Sequence, residues 1–177
     1  MHRECRSEIN DIIKHDQKKL RMNKYRIDQG DVDELDMIRP LWEKLNQMHL
    51  ELSPYFKSRF KAMSWDERKL KLLKKSQDIL FEYIIDNKNE RIVGYCISTI
   101  EKDDNYTGEI DSIYIDEEYR KSGLGKQLVD SAIQWLKSNN IETQKLLVGV
   151  GNEQVLGFYK QFDFYPLHIV LQRITDK

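Results

Sequence analysis

The chain has 177 residues, of which 40% are hydrophobic and 33% charged, enough for one domain with a real core and a modest extension. A formal net charge of −1 gives no basis for broad binding to nucleic acid or to an anionic membrane. No run reaches the length of a membrane span and the N-terminus lacks the apolar segment of a signal peptide, so a soluble, cytoplasmic protein is expected, with Cys5 and Cys96 as reduced thiols.

Residues 1–23 are polar and charged, with Ile9, Ile12, Ile13 and Leu20 at spacings that predict one weakly amphipathic helix; packing on the domain and meeting a partner are open to it, a mobile or loosely docked arm is the commoner outcome, and no chemistry is assigned to it. A short strand over 24–30 ends at Gly30, and Asp31 with Glu34 reads as a capping box. The helix behind it carries Leu35, Ile38, Leu41, Trp42, Leu45, Met48 and Leu52 as one stripe, with a break expected just before Pro40. Ser53-Pro54 marks a boundary, with Pro54 expected at a first helical position. Ser64 then caps a basic helix over 65–75, whose cations read as a solvated face.

Strands follow over 78–86 and 91–101, joined by a hairpin turn at 87–90, and a third over 109–115. A helix over 123–139 places Leu124, Leu128, Ala132, Trp135 and Leu136 at three- and four-residue spacing. A strand over 145–150, a short helix opening at Gly151-Asn152 and a last strand over 164–173 complete the chain. No segment repeats. The order predicts an α+β fold around a central mixed, mostly antiparallel sheet, with 109–115 and 145–150 as its one parallel pair.

Between strand and helix, Arg120-Lys121-Ser122-Gly123-Leu124-Gly125 brings two cations, two glycines and a helix N-terminus to one point. Bare main-chain N–H groups there suit a phosphate, and glycine lets the backbone approach it. The mononucleotide loop does not fit, because Arg120 stands where its first glycine belongs and Gln127 replaces its hydroxyl. Nor does the dinucleotide fingerprint, whose third glycine is replaced by Leu128 and which begins almost directly after its strand. A tight turn without ligand is the bland alternative.

The pattern Arg120-x-x-Gly123-x-Gly125 after an Ile-Tyr-Ile strand resembles the pyrophosphate loop of the GCN5-related N-acetyltransferases, the GNAT family. A second motif agrees: Asn152, then Phe158-Tyr159 with Phe164 at the family's spacing, although Asp163 stands where the family usually has glycine. The resemblance covers roughly residues 24–173, making 24–177 a GNAT acetyltransferase domain behind the extension 1–23, with helices on both faces of the sheet. It implies acetyl-CoA (coenzyme A) as cofactor and transfer of its acetyl group to a primary amine by direct attack, through a tetrahedral intermediate.

In the family the two parallel strands splay and the pantetheine arm lies between them, which maps its backbone contacts onto Ile113, Tyr114 and Ile115 and its amide contact onto Asn152. The diphosphate maps onto the N–H groups of Lys121, Ser122, Gly123, Leu124, Gly125 and Lys126, with Arg120 and Lys126 adding charge. Glu109 is the first choice of general base, with Asp111 on the same strand face in reserve; a solvated strand end is the competing account of both. Tyr159 matches the tyrosine that protonates the departing thiolate, a role a phenol suits because it stays protonated at neutral pH; a core tyrosine is its alternative, as a plain helix cap is that of Asn152. His15 and His49 lack partners at metal spacing, so no metal is expected. Trp42, His49, Tyr55, Phe56, Arg59, Trp65, Tyr165 and His168 are candidates for the acceptor pocket, though core burial awaits most of them. The resemblance implies a small-molecule or peptide amine as acceptor, with protein N-terminus, lysine, polyamine and drug-like amine all open, and a monomer or homodimer is expected. A non-catalytic acyl-CoA-binding module is the second reading and a purely structural domain the third.

Overall fold

The computed structural model describes residues 24–104 and 106–174; the extension 1–23 lies outside the described residues. Strand β1 (Tyr25–Gly30) runs into a 3-10 segment, Val32–Ile38, that buries Leu35 and Ile38. The Asp31 N–H donates to Glu34 Oε2 at 2.9 Å, one arm of the expected box. Helix α1 (Arg39–Leu52) begins immediately before Pro40, which lacks an N–H and is tolerated only in a first turn. The expected break is therefore present. Pro54 sits in a bend instead of opening a helix: Ser53 Oγ accepts from the Phe56 N–H, and α2 starts later, at Lys57–Ala62. Helix α3 (Trp65–Lys75) is capped by Ser64, whose hydroxyl accepts from the Glu67 N–H at 3.3 Å.

Strands β2 (Ser76–Asp86), β3 (Arg91–Glu101), β4 (Thr107–Ile115) and β5 (Thr143–Leu146) complete one sheet of order β1-β2-β3-β4-β5, antiparallel throughout except for the parallel pair β4 and β5. Helix α4 (Leu124–Ser138) crosses between that pair. It covers one face with Leu124, Leu128, Val129 and Ala132 against Ile84, Cys96 and Ile110, and with Leu136 against Ile100 and Ile141. The opposite face is covered by α1 and α3, where Trp42, Trp65 and Leu72 meet Phe81, Tyr95 and Tyr114. The predicted α+β sheet with helices on both faces is the observed architecture.

Two departures matter. The parallel strand expected over 145–150 is shorter and earlier, ending at Leu146, because residues 147–150 leave β4 altogether. The last strand expected over 164–173 does not form, and Leu167, Ile169, Val170 and Leu171 are 83–92% exposed. The β-branched Ile169 and Val170 favour a pleated surface only where a neighbouring strand supplies one, and no described strand does. The short helix after Gly151 is built from two 3-10 turns, Glu153–Val155 and Lys160–Phe162, around α5 (Leu156–Tyr159).

Candidate active site

Pairing along β4 decides the geometry. Against β3, Ile97 faces Ser112 but Ser98 faces Ile110, so Asp111 is an extra residue, a β-bulge. Against β5, the register runs from Thr107↔Thr143 to Ile110↔Leu146 and stops. The bulge bends β4 at the residue where its other partner departs, and the two parallel strands splay from there. Asp116 donates its N–H to the Val93 carbonyl in β3 at 2.9 Å. By antiparallel alternation Tyr114 also spends its main chain on β3, while Ile113 and Ile115 turn theirs toward the opening. Of the three positions implied for the arm, two thus present main-chain groups there. The Ile115 carbonyl accepts from Arg120 Nε at 2.9 Å, and the Arg120 guanidinium lies 5.4 Å from the Tyr114 ring centre.

At the far end of the opening the chain turns through Arg120 to Lys126. Lys121 and Gly123 both have positive φ, at 59° and 85°. This kink directs consecutive N–H groups to one side, the geometry of an anion nest. Among the described residues the N–H groups of Lys121, Gly123, Leu124, Gly125 and Lys126 make no hydrogen bond, the first two lying before α4 and the rest in its first turn. Among the described residues a Cβ at Gly123 would meet nothing within 4 Å, so none of them fills the space in front of the nest. At Gly125 it would touch Ile115 and Phe158 at 3.4 and 3.5 Å, which brings the helix start down onto β4. Ser122 Oγ donates to the Tyr119 carbonyl at 2.5 Å and braces the turn. Lys126 pairs with Asp130 at 3.1 Å and sits over the Phe162 ring.

The carboxylates occupy the α1/α3 side of β4. Glu109 is 6% exposed, and its Oε2 accepts from Lys75 Nζ at 2.9 Å. Asp111 accepts from Lys75 at 2.5 Å through one oxygen and from Arg68 through the other. Burial lowers the pKa of the Lys75 ammonium, but Asp111 and Glu109 raise it further, and the net shift is upward. Both oxygens of Asp111 are committed, whereas Glu109 Oε1 makes no hydrogen bond among the described residues. The two carboxylates open onto a cleft of about 500 Å³ lined also by Arg59, Met63, Glu67, Arg68, Lys71 and Leu147. A second cleft, of about 570 Å³, runs along α1 from Pro40 to Glu51 and ends at Tyr114, Glu117 and Arg120.

Tyr159 lies on the α4 side, in the apolar cluster with Ile113, Ile115 and Cys96. Its ring meets Phe158 and Phe164 edge-on, at 5.2 and 6.4 Å. Burial, with a smaller contribution from Cys96, pushes its phenol up to about 12. Asn152 stands at the N-cap of the turn that follows it, its carbonyl accepting from the Val155 N–H at 3.2 Å, but its side chain makes no capping bond; its Oδ1 accepts from Gln154 Nε2 at 2.6 Å. The candidate acid and the candidate bases therefore stand on opposite faces of the sheet, with the splayed edge of β4 between them.

The match to the acetyltransferase (GNAT) family covers residues 42–164. The chain belongs to the GNAT family. Its domain is 31% identical over 115 residues to the uncharacterized N-acetyltransferase MJ1207 of Methanocaldococcus jannaschii, an alignment covering 63% of this chain. The chain spans about half the length of that curated relative. The GNAT fold is shared with protein BH1408 of Bacillus halodurans, a tetramutant solved by crystallography, at a TM-score of 0.64 and 16% identity over 84% of this chain and 99% of that one. It is shared equally with the aminoglycoside acetyltransferase meta-AAC0020 from an uncultured soil metagenome, at a TM-score of 0.60 and 17% identity over 88% and 98%.

Within this GNAT domain, sequence reasoning missed Arg68 and Lys75, which it assigned to a solvated face. They stand seven residues apart, two turns along one face of α3, and both reach β4. Of the proposed acceptor-pocket residues, Trp42 and Trp65 are core, at 5% and 3% exposure. Arg59 lines the carboxylate cleft, His49 stacks on Phe60 at 5.5 Å, and Tyr55 and Tyr165 are exposed.

Proposed function

We propose that this GNAT domain transfers an acetyl group from acetyl-CoA to a primary amine by direct attack. One observation carries the reading: the gap between β4 and β5 leads to a helix N-terminus where five main-chain N–H groups have no partner among the described residues. Such a gap suits an extended, amide-bearing arm, and such a terminus suits a diphosphate. Coenzyme A has both.

Bound acetyl-CoA supplies an activated acyl carbon and a thiolate leaving group. In this reading the loop from Lys121 to Lys126 holds the diphosphate, in the positive field of Arg120 and Lys126. Ile113 and Ile115 pair with the arm, and Asn152 reaches its amide. Glu109 takes one proton from the acceptor ammonium through its uncommitted oxygen, directly or through a water, because an ammonium cannot attack. An outward N–H of β4 holds the oxyanion that develops on attack. Tyr159 gives its proton to the departing sulfur, and the second proton leaving nitrogen restores the phenol through solvent. Asp111, with both oxygens bound, positions Arg68 and Lys75.

A second reading has an observation behind it. Both carboxylates are ion-paired, which a binding module without turnover accommodates equally well. The test is a panel of amines assayed for free thiol, alongside the thermal shift caused by coenzyme A. Thiol release that depends on an amine establishes transfer. A thermal shift without release from any amine leaves the module reading, and no shift at millimolar cofactor removes both.

A further inference from the structure

The cleft over β4 carries more positive charge than its carboxylates consume. Four cations line it, Arg59, Arg68, Lys71 and Lys75, against the three carboxylates of Glu67, Glu109 and Asp111. Arg68 and Lys75 are held on β4 by Asp111 and Glu109, at the floor. Lys71 lies between them on the same face of α3, three residues from one and four from the other, and Arg59 approaches from α2. Neither Lys71 nor Arg59 forms an ion pair among the described residues, and both are exposed at the rim.

An acceptor ammonium entering this cleft alone would add charge to a site already in positive excess, where partial desolvation raises the cost. One that carries its own anion adds none. Its ammonium meets the uncommitted Oε1 of Glu109, and its anion takes the positive charge at Arg59 and Lys71. We infer that the acceptor is a primary amine bearing an anionic group, a carboxylate or a phosphate, held at the rim by Arg59 and Lys71. This rests on the proposed acetyl transfer and specifies its substrate class.

Three probes separate the sources of the anion. Thiol release is compared for β-alanine against β-alaninamide, for O-phosphoethanolamine against ethanolamine, and for putrescine as a purely cationic amine. At least one anionic member should exceed its neutral counterpart roughly tenfold in kcat/KM, with putrescine poorest; which pair shows it identifies carboxylate or phosphate. In the double variant Arg59→Gln, Lys71→Gln that ratio should fall to near one, while Arg59→Lys alone should retain it. Both residues are exposed, and the coenzyme A thermal shift confirms that the variants are folded. Equal rates within both pairs, or putrescine as the best acceptor, would overturn the inference while leaving acetyl transfer intact. An unaltered ratio in the double variant would overturn it too. Absence of the coenzyme A shift in the unmodified protein would instead remove the transfer reading on which it stands.

Discussion

The surroundings of Tyr159 suit the role of acid proposed for it. Burial among Phe158, Phe164 and Ile113 pushes the phenol up to about 12, so it remains protonated well above neutrality. Tyr159→Phe should keep coenzyme A affinity and lower kcat roughly a hundredfold. Since the phenol ionises only near 12, its loss should not bend the unmodified enzyme's kcat profile downward below about pH 10. A falling limb that appears below pH 10 and vanishes in the Phe variant would contradict this. Asp163 illustrates a smaller effect. Its φ of 63° is left-handed, at the position where the family usually has glycine. Asp163→Gly should stabilise by about 0.5–1 kcal/mol in chemical denaturation. The placement of both residues, Tyr159 on the short helix and Asp163 at its left-handed end, was legible because a short motif fixes it locally. Arg68 and Lys75 were not: a cation on a polar helix looks solvated until the topology sets a carboxylate strand against it.

At the scale of elements, the succession of strand, loop and helix from β4 to α4 was readable, since Ile-Tyr-Ile, the glycines and the leucine stripe each have their own periodicity or conformational demand. The positive φ of Gly123 makes a consequence testable. Gly123→Ala puts a left-handed strain of about 1–2 kcal/mol on the loop and a methyl in the space before the nest. Titration calorimetry should show coenzyme A affinity falling at least tenfold in a variant that remains folded. Wild-type affinity would remove the loop from the binding account. The bulge at Asp111 left no trace in the sequence, because an extra residue is visible only against a partner's register. For the same reason the extent of β5 and the absence of a last strand were misjudged: apolar, β-branched composition reports pleating potential, and a neighbour decides whether it is used.

Across the whole molecule, the sheet separates a carboxylate side from a phenol side, and α4 seals the second. Glu82 is an exception inside that seal: 3% exposed, its Oε1 accepts from Ser131 at 2.7 Å, and its Oε2 meets the distance and angle of a hydrogen bond with no group among the described residues. Burial raises its pKa above the ordinary glutamate value, with the Ser131 hydroxyl and, more weakly, the nearby Gln29 side chain opposing. The folded state therefore holds this proton more tightly than the unfolded chain. Its contribution is fully present below the unfolded value and is lost as pH rises through the folded one. Glu82→Gln should remove that loss, raising stability at pH 7 by about 1 kcal/mol, or about 2–4 °C in Tm, with a smaller gain near pH 4. An equal gain at both pH values would mean that ionisation is not the cause. A crystal structure of the protein with coenzyme A would test both the gap between β4 and β5 and the helix N-terminus behind it. Diphosphate oxygens should lie at about 2.7–3.2 Å from main-chain nitrogens of residues 121–126, with the arm between β4 and β5. Coenzyme A bound along the α1 cleft instead, or anywhere that leaves those nitrogens bare, would contradict that placement.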